Sequence, residues 1–247
     1  LGTEKFMTVP LLQLDQVSKS YGALKVTDNL SFTLKEGEAL GVLGPNGAGK
    51  STMFNLITGD VRPDQGRVCY QGNDITSLSA SARCQLGIGR SYQVPHPFSG
   101  MTVFENLLVG AKFGARLGDD EANAHCVSVL EQTGLLRRAN VLAGSLSLLD
   151  RKRLEMARAL ATRPKLLLLD EIAGGLTDNE AQALVRTIDE IRQSGVSIVW
   201  IEHVVHALLA VVDRLIVINF GALLTEGDPE TVMASREVRE VYMGIDA

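Results

Sequence analysis

A chain of 247 residues, 45% hydrophobic and 21% charged, is long enough to bury a large core and fits one α/β domain or two small ones. The net charge of −5, and a densest basic run, Arg151-Lys152-Arg153, too short to neutralise a line of phosphates, speak against a nucleic-acid partner. A mean hydropathy of +0.11 suits either a well-filled core or an exposed contact surface, and no apolar run approaches the roughly 18–20 residues of a membrane span.

Cys69, Cys84 and Cys126 lie far apart without CxxC spacing, so neither a disulfide framework nor a zinc site is expected and a reducing cytosol is the default. Residues 1–6 precede Met7, lack the apolar stretch of a signal peptide and are read as an expression remnant. Residues 11–17 and 30–34 have strand length and pattern, and Glu36-Gly37 turns the chain into a strand at 39–43. Residues 51–58 read as a helix stopped by Gly59 and Pro63, and 67–70 as a strand followed by a Gly72-Asn73 turn. The middle differs: 103–112, 119–133 and 150–163 read as helices with no strand between them, the last two closed by Gly134 and Pro164. Leu166-Leu167-Leu168-Leu169 then suits a strand buried on both faces. Residues 179–193 form an amphipathic helix ended by Gly195, and 196–201 and 214–218 are further buried strands. Strands alternating with helices predict an α/β fold with a mostly parallel, doubly wound sheet and a helical segment inserted at about 92–163.

Gly44-Pro45-Asn46-Gly47-Ala48-Gly49-Lys50-Ser51 matches GxxxxGK[ST] between a predicted strand and a predicted helix. Glycines let successive N–H groups point inward as an anion nest, and the helix adds its positive N-terminus. Lys50 would reach the β- and γ-phosphates, and the Ser51 hydroxyl would ligate Mg²⁺. A P-loop enzyme also needs a carboxylate at the end of a neighbouring strand, which Asp170-Glu171 supplies. Adjacent strand residues face opposite ways, so Asp170 is expected to hold Mg²⁺ through water and Glu171 to polarise the attacking water. Taken alone, the same pair also reads as the charged end of a buried strand. His203 follows the next strand and can hydrogen-bond a γ-phosphate or simply cap a helix.

With these motifs in place, the chain resembles an ABC transporter nucleotide-binding subunit from Met7 onward. The resemblance implies a single ATPase domain over 7–247: a P-loop NTPase core (7–91 and 164–247) with an antiparallel β edge, and an α-helical subdomain at about 92–163. It also implies ATP and Mg²⁺, with Thr52 joining the nucleotide-binding loop. Tyr21, in Ser18-Lys19-Ser20-Tyr21-Gly22, looks like the aromatic on which adenine stacks. Gln93, in Arg90-Ser91-Tyr92-Gln93, looks like the glutamine that senses metal and water. Leu146-Ser147-Leu148-Leu149-Asp150 occupies the place of the signature usually written LSGGQ, so Ser147 would face a nucleotide held by a second ATPase subunit. Read physically, Ser147 and Asp150 are an N-cap with its capping-box partner. Four residues depart from the family pattern: Leu148 and Leu149 replace glycines, Ile172 a proline, and Thr177 an aspartate.

Gly87-Ile88-Gly89-Arg90-Ser91-Tyr92-Gln93, Met101-Thr102-Val103-Phe104-Glu105-Asn106-Leu107 and Val241-Tyr242-Met243-Gly244 look most like the ATPases of branched-chain amino-acid importers, a layout shared with importers of other small polar solutes. That likeness implies transmembrane permease subunits docking at residues 94–104, a solute-binding protein as an indirect partner, and peripheral placement at the cytoplasmic face of the inner membrane. Alternatives within the same chemistry are an ATPase of an exporter or lipid-extraction complex, a non-transport ATP-dependent switch, and an ATP-binding module without turnover.

Overall fold

The computed structural model describes residues 9–243; the readings on residues 1–6 and on Gly244 lie outside the described residues. The chain runs β1 (Leu12–Tyr21), β2 (Leu24–Leu34), β3 (Ala39–Leu43), α1 (Lys50–Thr58), β4 (Gln65–Tyr70), β5 (Asn73–Asp74), α2 (Ala80–Gln85) and β6 (Ile88–Arg90). Next come α3 (Val103–Val109), a π-helical turn (Gly110–Gly114), α4 (Asp119–Gln132) and α5 (Leu148–Leu160). The remainder is β7 (Leu166–Asp170), α6 (Asp178–Gln193), β8 (Ser197–Ile201), α7 (Val205–Leu209), β9 (Arg214–Asn219), β10 (Ala222–Gly227), α8 (Pro229–Ala234) and α9 (Arg236–Met243).

Two sheets result. The antiparallel one has the order β2-β1-β4-β5, and the larger one the order β10-β9-β3-β8-β7-β6. In the larger sheet β9, β3, β8, β7 and β6 are parallel and β10 returns antiparallel on β9. The α/β class with a mostly parallel sheet and an antiparallel β edge is therefore the fold. Strands β3, β7 and β8 are buried along their whole length, as unbroken apolar runs require. Their side chains alternate between two cores. Leu167 and Leu169 pack with the helices of the middle segment, whereas Leu166 and Leu168 pack against α1 and the antiparallel sheet.

The differences from expectation are local. β1 and β2 run past the predicted strands because they close a hairpin over Gly22-Ala23, with Tyr21 opposite Leu24. The turn after β4 falls at Gln71-Gly72, one residue early, leaving Asn73 to start β5. Helix α5 starts at Leu148 rather than Asp150, since Ser147 already caps it: its hydroxyl accepts from the Asp150 N–H at 3.2 Å. The reciprocal half of the expected capping box is not made. The Asp150 carboxylate faces Arg138 and Arg153 instead, at 3.7 and 3.8 Å. Thr177 caps α6, its N–H and hydroxyl donating to Glu180 at 3.0 and 2.8 Å. Here the departure from aspartate serves a helix start.

Candidate nucleotide site

Strand β3 delivers the chain to Gly44 at the carboxyl edge of the parallel sheet, the edge where open α/β folds bind ligands. The register places Val42 beside Ile201, and Ile201 beside Asp170, so Glu171 and His203 leave their strands at the height of the phosphate loop. Gly49 precedes α1 with φ 100 and offers no capping side chain, which leaves the first N–H groups of the helix to a ligand. From behind, the loop is braced by the β9–β10 turn. The Gly221 N–H donates to the Ala48 carbonyl at 2.9 Å, and the Gly221 carbonyl accepts from Asp28 at 2.8 Å.

Residues 46–52, Gln93, Glu171 and His203, with Val26 of β2, line one open cleft of ≈ 450 Å³. Lys50 is buried, and its Nζ donates to the carbonyls of Gly44 (2.7 Å) and Pro45 (3.0 Å). Burial pulls its ammonium below the ordinary lysine range, and Glu171 and Asp170 push back. The side chains of Gln93, Glu171 and His203 meet directly. Gln93 Nε2 donates to Glu171 Oε2 at 2.5 Å, and His203 Nε2 lies 2.8 Å from Glu171 Oε1. Helix α7 begins at Val205 with Val204 before it, so His203 is not a helix cap. Glu171 also carries φ 46, a left-handed conformation that costs a non-glycine residue about 1–2 kcal/mol. Strain of this kind gathers at working sites.

Asp170 is the last residue of β7. It is 4% exposed, lies off the cleft wall, and its Oδ2 accepts from Arg90 Nη2 at 2.8 Å. Burial raises its carboxyl pKa and Arg90 draws it back. Tyr21 also lies off the cleft wall. It stands at the hairpin end, 50% exposed, with the Lys19 ammonium 5.7 Å from its ring.

Ser147 and Leu148 are on the surface at the start of α5 and do not line the cleft. In the 94–104 segment Phe98 is exposed, its ring under Arg158 at 5.0 Å, while Phe104 packs onto the helical core. Phe98, Tyr92, Glu155 and Arg158 line a groove of ≈ 330 Å³.

Sequence reasoning missed three residues here: Val26, Arg90 and Lys152. Arg90 lies in the β6 strand that runs into Gln93. It is held by Asn55 at 2.6 Å and Asp170, with Phe54 and Tyr92 rings at 5.4 and 4.6 Å. The inward face of α5 also holds Met156 and Ala159, four and seven positions after Lys152, and that helical period was the available signal.

A strand, a glycine nest with its lysine, a helix N-terminus and a strand-end carboxylate together define a P-loop nucleotide-binding protein. Residues 27–174 match the family model described as ABC transporter. The probable ABC transporter ATP-binding protein of Azorhizobium caulinodans is 39% identical over 236 residues, covering 92% of this chain and 81% of that one. The high-affinity branched-chain amino acid transport ATP-binding protein LivG of Salmonella typhimurium is 34% identical, covering 96% of this chain and 99% of its own. The lipopolysaccharide export system ATP-binding protein LptB of Haemophilus influenzae is also 34% identical, covering 95% and 97%. Among solved structures, the ADP conformation of MJ1267, an ATP-binding cassette of an ABC transporter, superposes with a TM-score of 0.87 at 31% identity, covering 96% of this chain and all of that one. A nucleotide-free cassette gives 0.87 at 30%. The chain belongs to the ABC transporter family as an ATP-binding subunit, and its activity is ATP hydrolysis coupled to transport.

Proposed function

We propose that this chain is the ATP-hydrolysing motor of an importer for branched-chain amino acids or similar small polar solutes, with the domain limits set out above. The observation that carries the hydrolytic part is the meeting of Gln93, Glu171 and His203 beside Lys50 in one cleft. In this reading residues 44–52 hold the ATP phosphates through N–H groups and Lys50, and Tyr21 offers its free ring face to adenine. Glu171 accepts a proton from water as that oxygen attacks the γ-phosphorus and the bond to the β-phosphate oxygen breaks. Gln93 and His203 aim the water and the γ-phosphate.

Among the described residues no group of three or more His, Cys, Asp or Glu side chains could cage a metal. The Ser51 hydroxyl and Gln93 amide nevertheless supply hard oxygen donors at the cleft, which suits Mg²⁺ bound chiefly by phosphate oxygens. Ser51 and Gln93 would hold it directly and Asp170 through water; bound there it would neutralise phosphate charge.

Ser147 serves the nucleotide of a second ATPase subunit, so two subunits close head to tail. Residues 94–104, with Phe98 outermost, face the permease at the cytoplasmic side of the membrane. The likeness to LivG supports import, whereas the equal identity to LptB favours lipid export as the second reading. Two measurements separate the possibilities. Glu171→Gln should keep ATP binding and lose phosphate release, while Lys50→Ala should lose binding; retained affinity in Lys50→Ala removes the loop assignment. Affinity purification from membranes should recover a permease pair and a solute-binding protein, and recovery of a lipid-export complex overturns the importer reading.

A further inference from the structure

The basic run that is too short for nucleic acid has an inward-facing member. Lys152 is 4% exposed on α5, and its Nζ donates to the backbone carbonyls of Gln93 at 2.9 Å and Glu171 at 3.1 Å. Its neighbours do nothing comparable: Arg151 donates to the Gly144 carbonyl, and Arg153 faces Asp150. Those two carbonyls belong to the residues whose side chains meet across the cleft. The Glu171 peptide, at φ 46, is gripped from both sides. Its N–H donates to the Ile201 carbonyl of β8 at 2.9 Å, and its own carbonyl is held from α5 by Lys152. Both hydrogen bonds of Lys152 go to main chain, so it fixes the path of the chain.

We propose that Lys152 is a positioning residue for hydrolysis. Its ammonium holds the Glu171 peptide in the left-handed conformation and ties Glu171 and Gln93 to the helix that Ser147 caps. A change in the seat of α5 thereby changes where the Glu171 carboxylate points. This rests on the reading of Glu171 as the group acting on water.

The test compares Lys152→Met, which keeps length and loses the donors, with Lys152→Arg, which keeps charge and donors, and with Glu171→Gln. ATP affinity of Lys152→Met should stay near that of the parent, while the melting temperature falls by only a few degrees as two carbonyls lose their donor. Its kcat should fall about 100-fold with KM changed by no more than about twofold, the cost of misplacing a reacting group by an ångström. Lys152→Arg should recover kcat to within about threefold, because its guanidinium can still reach both carbonyls. Amide exchange over residues 93–98 and 171–176 should quicken in Lys152→Met while that of 50–58 stays unchanged, a readout independent of turnover. Unchanged exchange, or parent-like kcat in Lys152→Met beside an inactive Glu171→Gln, overturns this inference alone. Parent-like turnover in Glu171→Gln overturns the underlying reading and this inference with it. A collapse of ATP affinity and melting temperature in Lys152→Met marks a merely structural lysine.

Discussion

Two glycines of the phosphate loop carry the same backbone requirement in different surroundings, and alanine at each separates folding from binding. Gly47 has φ +79 with no atom within 4 Å of where a Cβ would stand; Gly49 has φ +100 and would place its Cβ 2.4 Å from the Val26 carbonyl oxygen. The left-handed conformation costs alanine about 1–2 kcal/mol at either site. At Gly49, buried and backed by Val26, the loop cannot swing away, and the overlap with a backbone oxygen adds about 1–3 kcal/mol. Gly49→Ala should therefore destabilise the fold by about 2–5 kcal/mol in urea unfolding. At exposed Gly47 the loop can relax to negative φ, so the fold loses little. The cost then appears when ATP demands the nest: about 1–2 kcal/mol, or roughly a 5–30-fold weaker Kd. Unfolding of the ligand-free proteins and a titration with a fluorescent ATP analogue measure the two quantities. Gly47→Ala with parent-like stability and parent-like affinity would refute the reasoning, as would Gly49→Ala proving the milder substitution.

Two further outcomes follow from buried groups remote from the cleft. Arg83 is fully buried and donates to the carbonyls of Leu56 (2.6 Å), Ile57 (2.9 Å), Thr76 (3.0 Å) and Leu78 (3.2 Å). Arg83→Met strands these acceptors, two at the end of α1 and two in the loop before α2, so urea unfolding should show a loss of about 3–5 kcal/mol; a loss under about 1 kcal/mol would contradict the packing. Cys126 is fully buried in α4, and burial pushes its thiol up to about 11. Because the native state then holds the proton more tightly than the unfolded chain, this contribution is present below about pH 9 and is lost as pH rises toward 11, by at most about 1.4 kcal/mol per unit. Cys126→Ala should remove that part of the slope, and iodoacetamide should label Cys69, which is partly exposed, well before Cys126.

What was legible in the sequence follows from how far each signal is local. Strands β3, β7, β8 and β9 were foreseen within a residue at each end, because burial on both faces leaves unbroken apolar runs. Helix α1 was foreseen because a glycine motif and Gly59 bracket it. Helix α2 and strand β6 were not. Ala80–Gln85 is short and polar, and its one fully buried side chain is Arg83, which looks like surface until the carbonyls it reaches are known. β10 was not foreseen either, although it closes a two-residue hairpin on β9 over Phe220-Gly221, a local signal that its half-buried, mixed pattern obscured. In the site, Lys50, Ser51, Gln93, Glu171 and His203 were all named beforehand and lie together. Asp170 was also named, yet its salt bridge with Arg90 spans 80 positions of sequence, and that distance hid both the partner and the burial. Lys152 was hidden in another way, since a charged run reads as solvated until helical phase shows one member turned inward.

The hydrogen bonds of Lys50 have a consequence for how the loop chooses its ligand. An ammonium has three N–H groups, and the carbonyls of Gly44 and Pro45 already accept from it. What the loop presents to an anion is then one pointed donor on an immobilised stem, unlike the freely swinging cation of a surface lysine. Selection at this position is by direction more than by charge density. Screening ions, which weaken exposed pairs readily, should compete poorly with a phosphate oxygen standing on that single line.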